Sequence, residues 1–163
     1  MFEQLRKPAN KRMKFIFLAG LMALSFFLPS QHIYALELPV TSAFGWRYHP
    51  ISGEWSFHAG VDLGYAAGTP IPALFDGVVV QAGDYMDGYG NQVLLYHPEY
   101  DTYTRYAHMS DVYVTVDQYI PQGTVIGLVG ATGRVTGAHL HLEYIVRGAD
   151  GNYMYADPLV LWQ

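Results

Sequence analysis

The sequence predicts an all-β fold, and three observations predict it. Seventeen glycines and nine prolines interrupt the apolar runs too often for long helices. Between these breaks Val, Ile, Tyr and Thr gather in short segments, and such side chains suit a pleated, half-buried surface. Asp-Gly, Gln-Gly and Thr-Gly pairs then fall between the segments, where tight hairpins demand positive φ or a residue that tolerates it.

The chain begins with a different kind of segment. Arg6, Lys7, Lys11, Arg12 and Lys14 precede the apolar run Phe15 to Leu28, and Pro29 and the small Ala35 follow it. That is the layout of a secretory signal peptide, with cleavage expected after Ala35, although Ile33-Tyr34-Ala35 matches A-x-A only in part. A start at Met13 leaves a shorter signal of the same design. The 14 apolar residues fall short of the about 20 that a spanning helix takes, so a retained N-terminal signal anchor is the second reading. Residues 1–35 are therefore expected to be a leader, and residues 36–163 one exported domain, whether secreted, periplasmic or associated with a cell wall.

Within that domain Leu36 to Thr41 reads as a brief linker that can join the sheet, with Pro39 suited to an edge. Strands are expected at Ile71 to Phe75, Gly77 to Ala82, Gln92 to Tyr96, Thr102 to His108, Val125 to Val129 and His139 to Val146. Turns are expected at Asp76-Gly77, Asp87-Gly88, Gln122-Gly123, Thr132-Gly133 and Asp150-Gly151. No repeat, low-complexity tract or second hydrophobic block argues for another domain. The length of 163 residues, 51% of them hydrophobic, supports one core.

Composition removes several functions. After Ala35 the basic side chains are Arg47, Arg105, Arg134 and Arg147 against 13 acidic ones, so the formal charge is 4 − 13 = −9 with His neutral. A nucleic-acid binder needs a basic stripe to displace phosphate counterions, and charge alone will not hold this domain on an anionic membrane. A membrane enters only if the leader is retained. The absence of cysteine rules out a disulfide scaffold and confines any metal site to His, Asp and Glu.

Two motifs supply those residues. In His139-Leu140-His141-Leu142-Glu143 polar and apolar side chains alternate, so on a strand the histidines and Glu143 share one face and the leucines point into the core. His58 and Asp62 stand four apart, but Gly60, Val61 and Gly64 argue against a helix, so this H-x-x-x-D spans a strand end or turn. Each motif alone is explained as well by a polar strand face or a surface hydrogen-bonded pair. Together they offer four imidazole or carboxylate groups. A catalytic zinc takes three such ligands and keeps a fourth position open, which leaves one group for proton transfer. Spacing does not decide between His139 and His141. His108 ends a candidate strand, whereas His49 and His97 precede prolines in turns and are read as structural or solvated.

The same residues resemble a family, the lysostaphin and LytM type of zinc endopeptidases that cleave peptide bonds in bacterial peptidoglycan. The resemblance rests on Thr41 to Arg47 (TSAFGWR), Phe57 to Leu63 (FHAGVDL), Gly68-Thr69-Pro70-Ile71, Asp76-Gly77-Val78-Val79, Gly88-Tyr89-Gly90-Asn91, Tyr106-Ala107-His108, and Gly130-Ala131-Thr132-Gly133 through His141. It implies that His58, Asp62 and His141 are zinc ligands, and that His108 and His139 are catalytic histidines outside the ligand set. It also implies a compact, mainly antiparallel β-sheet or sandwich of the duplicated hybrid motif type, an open groove, and peptidoglycan peptides as partners. No H-E-x-x-H is present, so a glutamate base is not expected and Glu143 is given a supporting place. The segments Tyr48 to Phe57 and Asp84 to Tyr89 are candidate groove loops, with some of the tyrosines as aromatic walls.

Two other functions compete. A non-catalytic regulator or scaffold of wall hydrolases with the same fold is the first, and the intact ligand set counts against it. A biotinyl or lipoyl carrier, suggested by the Gly-rich strand turns, fails because no lysine follows Lys14 to accept the cofactor.

Overall fold

The computed structural model describes residues 38–49 and 52–163, so the leader expected at 1–35 lies outside the described residues. In chain order the strands are β1 (Val40–Ser42), β2 (Gly45–Tyr48), β3 (Trp55–His58), β4 (Val61–Leu63), β5 (Pro70–Pro72) and β6 (Gly77–Asp84). There follow β7 (Asn91–His97), β8 (Thr102–Val112), β9 (Tyr119–Ile120), β10 (Val125–Val129), β11 (Leu140–Arg147) and β12 (Tyr153–Ala156), then a short 3-10 helix, Pro158–Trp162. Asp157 caps that helix by accepting from the Leu159 amide at 3.0 Å. Among the described residues no helix is long and apolar enough to cross a membrane.

One sheet runs in the order β1-β4-β11-β8-β7-β6-β9, with β10 joining both β5 and β8, and β12 added to β11; β2 and β3 form a separate two-stranded ribbon. Neighbours pair antiparallel throughout. The all-β, mainly antiparallel expectation therefore holds. Val61, Leu63, Val79, Val93, Leu95, Tyr106, Met109, Ile126, Val129, Leu140 and Leu142 make the buried core. His97 is buried with them: its Nδ1–H donates to the Asp76 carbonyl at 2.8 Å, its Nε2 lies 2.8 Å from Thr104 Oγ1, and burial pushes its pKa down.

The departures have local causes. The segment expected at Ile71 to Phe75 is strand only over Pro70–Pro72, where a proline without an N–H stands at each end. The two- to four-residue strands β1, β2, β3, β4, β9 and β12 carry too few alternations to be visible in a sequence. The strand expected to end at His108 runs on to Val112, with His108 at φ 62° beside shifts in register against both β7 and β10. Gly77 does not supply positive φ. It supplies room, since a Cβ there would stand 2.7 Å from the Tyr96 carbonyl oxygen and 2.8 Å from His97 Nδ1.

Candidate active site

The two motifs meet because β4 and β11 are hydrogen-bonded neighbours. β3 ends at His58, Ala59 and Gly60 turn the chain, and β4 carries Asp62 into register opposite His141. Gly60 permits this approach: a Cβ there would collide with the Leu142 carbonyl and stand 3.0 Å from His141 Cε1. As a result His58 Nε2 lies 3.1 Å from Asp62 Oδ1 and 3.1 Å from His141 Nδ1, and His141 Nδ1 lies 2.8 Å from the same Asp62 oxygen. All three side chains are largely buried.

Hydrogen bonds behind the rings decide which nitrogens face this point. Carbonyl oxygens only accept, so the 2.8 Å contact of His58 Nδ1 with the Ala43 carbonyl puts the proton on Nδ1 and a lone pair on Nε2. His141 Nε2 is 3.3 Å from Glu143 Oε1, which likewise takes its N–H and leaves Nδ1 as an acceptor in the neutral ring. With both rings neutral, two imidazole lone pairs and a carboxylate oxygen converge, and a cation satisfies all three; without one, a proton on either ring is shared with Asp62. Ligands about 2.1 Å from a tetrahedral metal stand roughly 3.5 Å apart, so accepting one needs only a slight opening. Burial pushes the Asp62 carboxyl upward, but hydrogen bonds and charge from His141 and His58 outweigh it and hold the group well below the usual carboxylate range. Burial pushes His141 down, and Asp62 and Glu143 on either side reverse this and raise it.

Glu143 is itself fully buried and anchors a polar network. Tyr89 donates its hydroxyl to Oε1 at 2.5 Å. Arg105 Nε lies 2.9 Å from Oε2, with the N–H off the hydrogen-bond line, so that contact is ionic. The Arg105 guanidinium also covers the Tyr89 ring at 4.5 Å and donates to Gln92 Oε1. Gln92 in turn donates to both oxygens of Asp87, at 3.0 and 2.8 Å, and Asp87 Oδ1 accepts from the Tyr89 amide at 3.1 Å. Glu143 thus ties the ring of His141 to the loop at Asp87 to Tyr89, the supporting place expected of it. Sequence reading missed Tyr89 and Arg105 as site residues. Glu143, on the strand face shared with His139 and His141, was the available signal, because a carboxylate buried there requires a cationic partner.

His108 and His139 flank the cluster. Their ring centroids are 4.8 Å apart, and His108 lies 5.7 Å from the His141 ring. His139 sits just before β11, in a bridge with Gly130, and its Nε2 is 3.6 Å from Asp62 Oδ1, further out than His141. His108 Nδ1 donates to the Thr132 carbonyl at 2.9 Å and His139 Nδ1 to the Gly137 carbonyl at 2.9 Å, so each neutral ring keeps its Nε2 lone pair. Burial first, then the charges of His141 and His139, push His108 down to about 4, and it is neutral at neutral pH.

These side chains line an open groove of about 670 Å³. Tyr48, Ser56 and Phe57 from one expected loop and Asp87 to Tyr89 from the other form parts of its wall. Arg47 and the segment Arg134 to Ala138 also line it and were not anticipated there, and His49, read as structural or solvated, lines it too.

The model of peptidase family M23 matches residues 56–154. The chain belongs to peptidase family M23. Among its relatives, the DD-carboxypeptidase/endopeptidase Mpg of Neisseria meningitidis is 42% identical over 113 residues, covering 69% of this chain and 26% of that protein. The peptidoglycan DD-endopeptidase ShyA of Vibrio cholerae is 44% identical over 112 residues, covering 68% of this chain and 25% of that one. The match thus spans about a quarter of the length of these curated relatives. The catalytic domain of lysostaphin from Staphylococcus simulans superimposes with a TM-score of 0.68 at 30% identity, over 79% of this chain and 95% of that domain. The sheet and groove described above are therefore those of an M23 peptidase domain.

Proposed function

We propose that the chain is a zinc-dependent endopeptidase that hydrolyses peptide bonds in peptidoglycan stem peptides or cross-links, with residues 36–163 as its catalytic domain. The carrying observation is the convergence of His58 Nε2, Asp62 Oδ1 and His141 Nδ1, each turned inward by a hydrogen bond or strand pairing behind it. These three are the proposed ligands. An all-His/Asp donor set with buried supporting partners fits zinc. Zinc held there supplies Lewis acidity, polarising a carbonyl oxygen and acidifying water.

The chain's own residues do the rest. His108 and His139 are the proposed catalytic groups: each is fixed through Nδ1 and offers Nε2, so one can take a proton from water and pass that same proton to the leaving amine, while the other, when protonated at Nε2, donates a hydrogen bond to the oxyanion. The depressed pKa of His108 keeps the ring neutral at neutral pH, with its Nε2 lone pair free. Tyr89 is not the proton donor in this scheme, because its hydroxyl hydrogen is committed to Glu143. Glu143 and Arg105 hold His141 in place. The peptide lies along the groove between the ribbon of β2 and β3 and the Asp87 to Tyr89 loop. The relatives named as peptidoglycan DD-endopeptidases support the substrate class, and the leader supports export, with a retained anchor as the second possibility.

The test is incubation of the purified chain with peptidoglycan of several wall types, with chelator and with zinc restored, followed by mass spectrometry. New amino termini within the peptides, abolished by chelator and restored by zinc, are expected. Zinc bound without cleavage of any wall would replace this reading by that of a regulator or scaffold of wall hydrolases.

A further inference from the structure

The four arginines after Ala35 divide into two kinds. Arg105 is paired with Glu143, and Arg147 donates to Asp101 Oδ2 at 2.9 Å and to the Gly151 carbonyl at 3.1 Å. The other two, Arg47 and Arg134, line the groove, and neither is fully engaged. Arg47 lies on β2 opposite Ser56 of β3, with its side chain only 24% exposed. Its nearest carboxylate is Asp62, whose Oδ2 stands 3.8 Å from Nη2, beyond hydrogen-bond reach. Its Nε is buried and has no hydrogen-bond partner. Arg134 follows Gly133, whose φ of 77° turns the chain, and its amide is held by the Gly88 carbonyl at 2.9 Å. Among the described residues its guanidinium makes no hydrogen bond or ion pair.

A buried N–H left without an acceptor is destabilising, and a guanidinium carries five donors in a planar fork. Arg134 is thus uncommitted and Arg47 keeps donors beyond its ion pair with Asp62, both in one groove, on a domain of formal charge −9 by the count of 4 against 13. General electrostatics would repel an anionic peptide from such a domain, and the two guanidiniums reverse that only locally. We infer that Arg47 and Arg134 form a carboxylate-binding subsite in the groove, which selects peptides carrying a free carboxylate beside the bond to be cut. The inference rests on the peptidase reading above and adds to it the charge of the substrate. Arg47, with Nη2 3.8 Å from Asp62, offers its donors beside the metal-ligand cluster, and Arg134, on the segment after Gly133, lines the same groove from a second element. The carboxylate is either the peptide's C-terminus or an acidic side chain, and both present the same planar anion to the fork.

The test uses the full chain with zinc and cross-linked stem peptides released from peptidoglycan, each in three forms: free acid, amidated at the C-terminus only, and amidated at side-chain carboxylates only. A charge-assisted hydrogen bond is worth about 1.5–3 kcal/mol, so kcat/KM for the free acid is expected to exceed that of the relevant amide roughly 10- to 150-fold. The form that loses the preference identifies which carboxylate is read. In Arg47→Gln and Arg134→Gln the acid-to-amide ratio should fall towards one, mainly through KM, and Arg47→Lys should restore it only in part because a point charge lacks the fork. Binding of the same peptides to His108→Ala, which is expected to lose most turnover, is measured by calorimetry. Cleavage of acid and amide alike, or a ratio untouched by both glutamine variants, overturns the subsite. Tighter binding of the acid without any cleavage keeps the subsite and overturns the endopeptidase reading, whereas equal binding of all three forms overturns the subsite whether or not the chain cleaves.

Discussion

Removing Arg105 tests the architecture that holds His141. Glu143 is 0% exposed and the Arg105 side chain 13% exposed, so Arg105→Met leaves a carboxylate with no access to water and only Tyr89 and His141 as partners. Breaking a buried ion pair from one side costs about 3–5 kcal/mol, because the remaining charge is uncompensated. For a domain of this size each kcal/mol moves Tm by roughly 3–5 °C, so a fall of roughly 9–25 °C is expected. The double variant Arg105→Met/Glu143→Leu removes both charges, and replacing a whole buried pair with apolar groups is neutral or stabilising, so its Tm should return to near that of the parent. Metal affinity should not return. His141 Nε2 has lost the acceptor that orients the ring, and loss of such a partner weakens binding about 10- to 100-fold. Stability is read by urea and thermal unfolding in chelator, and affinity by competition with a chromophoric chelator. The reasoning fails if Arg105→Met loses under about 1 kcal/mol, or if the double variant is as unstable as the single.

Other substitutions probe the separate parts. Gly60→Ala drives a methyl group against the Leu142 carbonyl, so overpacking of about 1–3 kcal/mol is expected in chelator, together with weaker metal binding as Asp62 moves from His141; unchanged affinity in calorimetry would contradict the close-approach argument. His141→Ala should abolish zinc binding and activity together, whereas His108→Ala should keep zinc and lose most turnover; equal metal loss in both, measured by elemental analysis, would overturn the proposed division of roles. The pH dependence of stability follows from His108, whose pKa is lowered by burial from 6.5 to about 4. Between these values the unfolded chain binds the proton that the folded chain refuses, so this contribution is fully present above pH 6.5, declines as pH falls, and levels off below about pH 4 after a loss of about 3 kcal/mol. His108→Asn should flatten the metal-free curve in that window, while the buried His97, lowered for the same reason, continues to contribute in the same direction. A curve as steep in the variant as in the parent would refute the assignment to His108.

Local patterns made the larger strands legible. Val125 to Val129 matches β10 residue for residue, and β6, β7 and β11 fall within two residues of their expected bounds, because side-chain alternation and turn glycines act over a few residues. The donor chemistry was legible too: without cysteine, an H-x-x-x-D and an H-x-H were the groups available for a metal. Gly77 shows where local reasoning fails, since its reason is the backbone of β7 rather than its own φ. His108 was placed at a strand end because nothing around it encodes the left-handed φ that a bulge between β7 and β10 imposes.

By itself, then, the sequence determined the β class, the turns, the acidic balance and the set of imidazoles and carboxylates that could act. Only the tertiary structure decided which of them meet. Asp62 and His141 are 79 residues apart, and their contact depends on the register of β4 against β11 and on the missing side chain of Gly60. The same register sets His141 closer than His139 to Asp62, that of β11 against β8 sets Glu143 opposite Arg105, and the β2–β3 ribbon carries Arg47 into the groove. Pairing between distant strands is a collective result of packing, so no window of sequence around any one of these residues contains it.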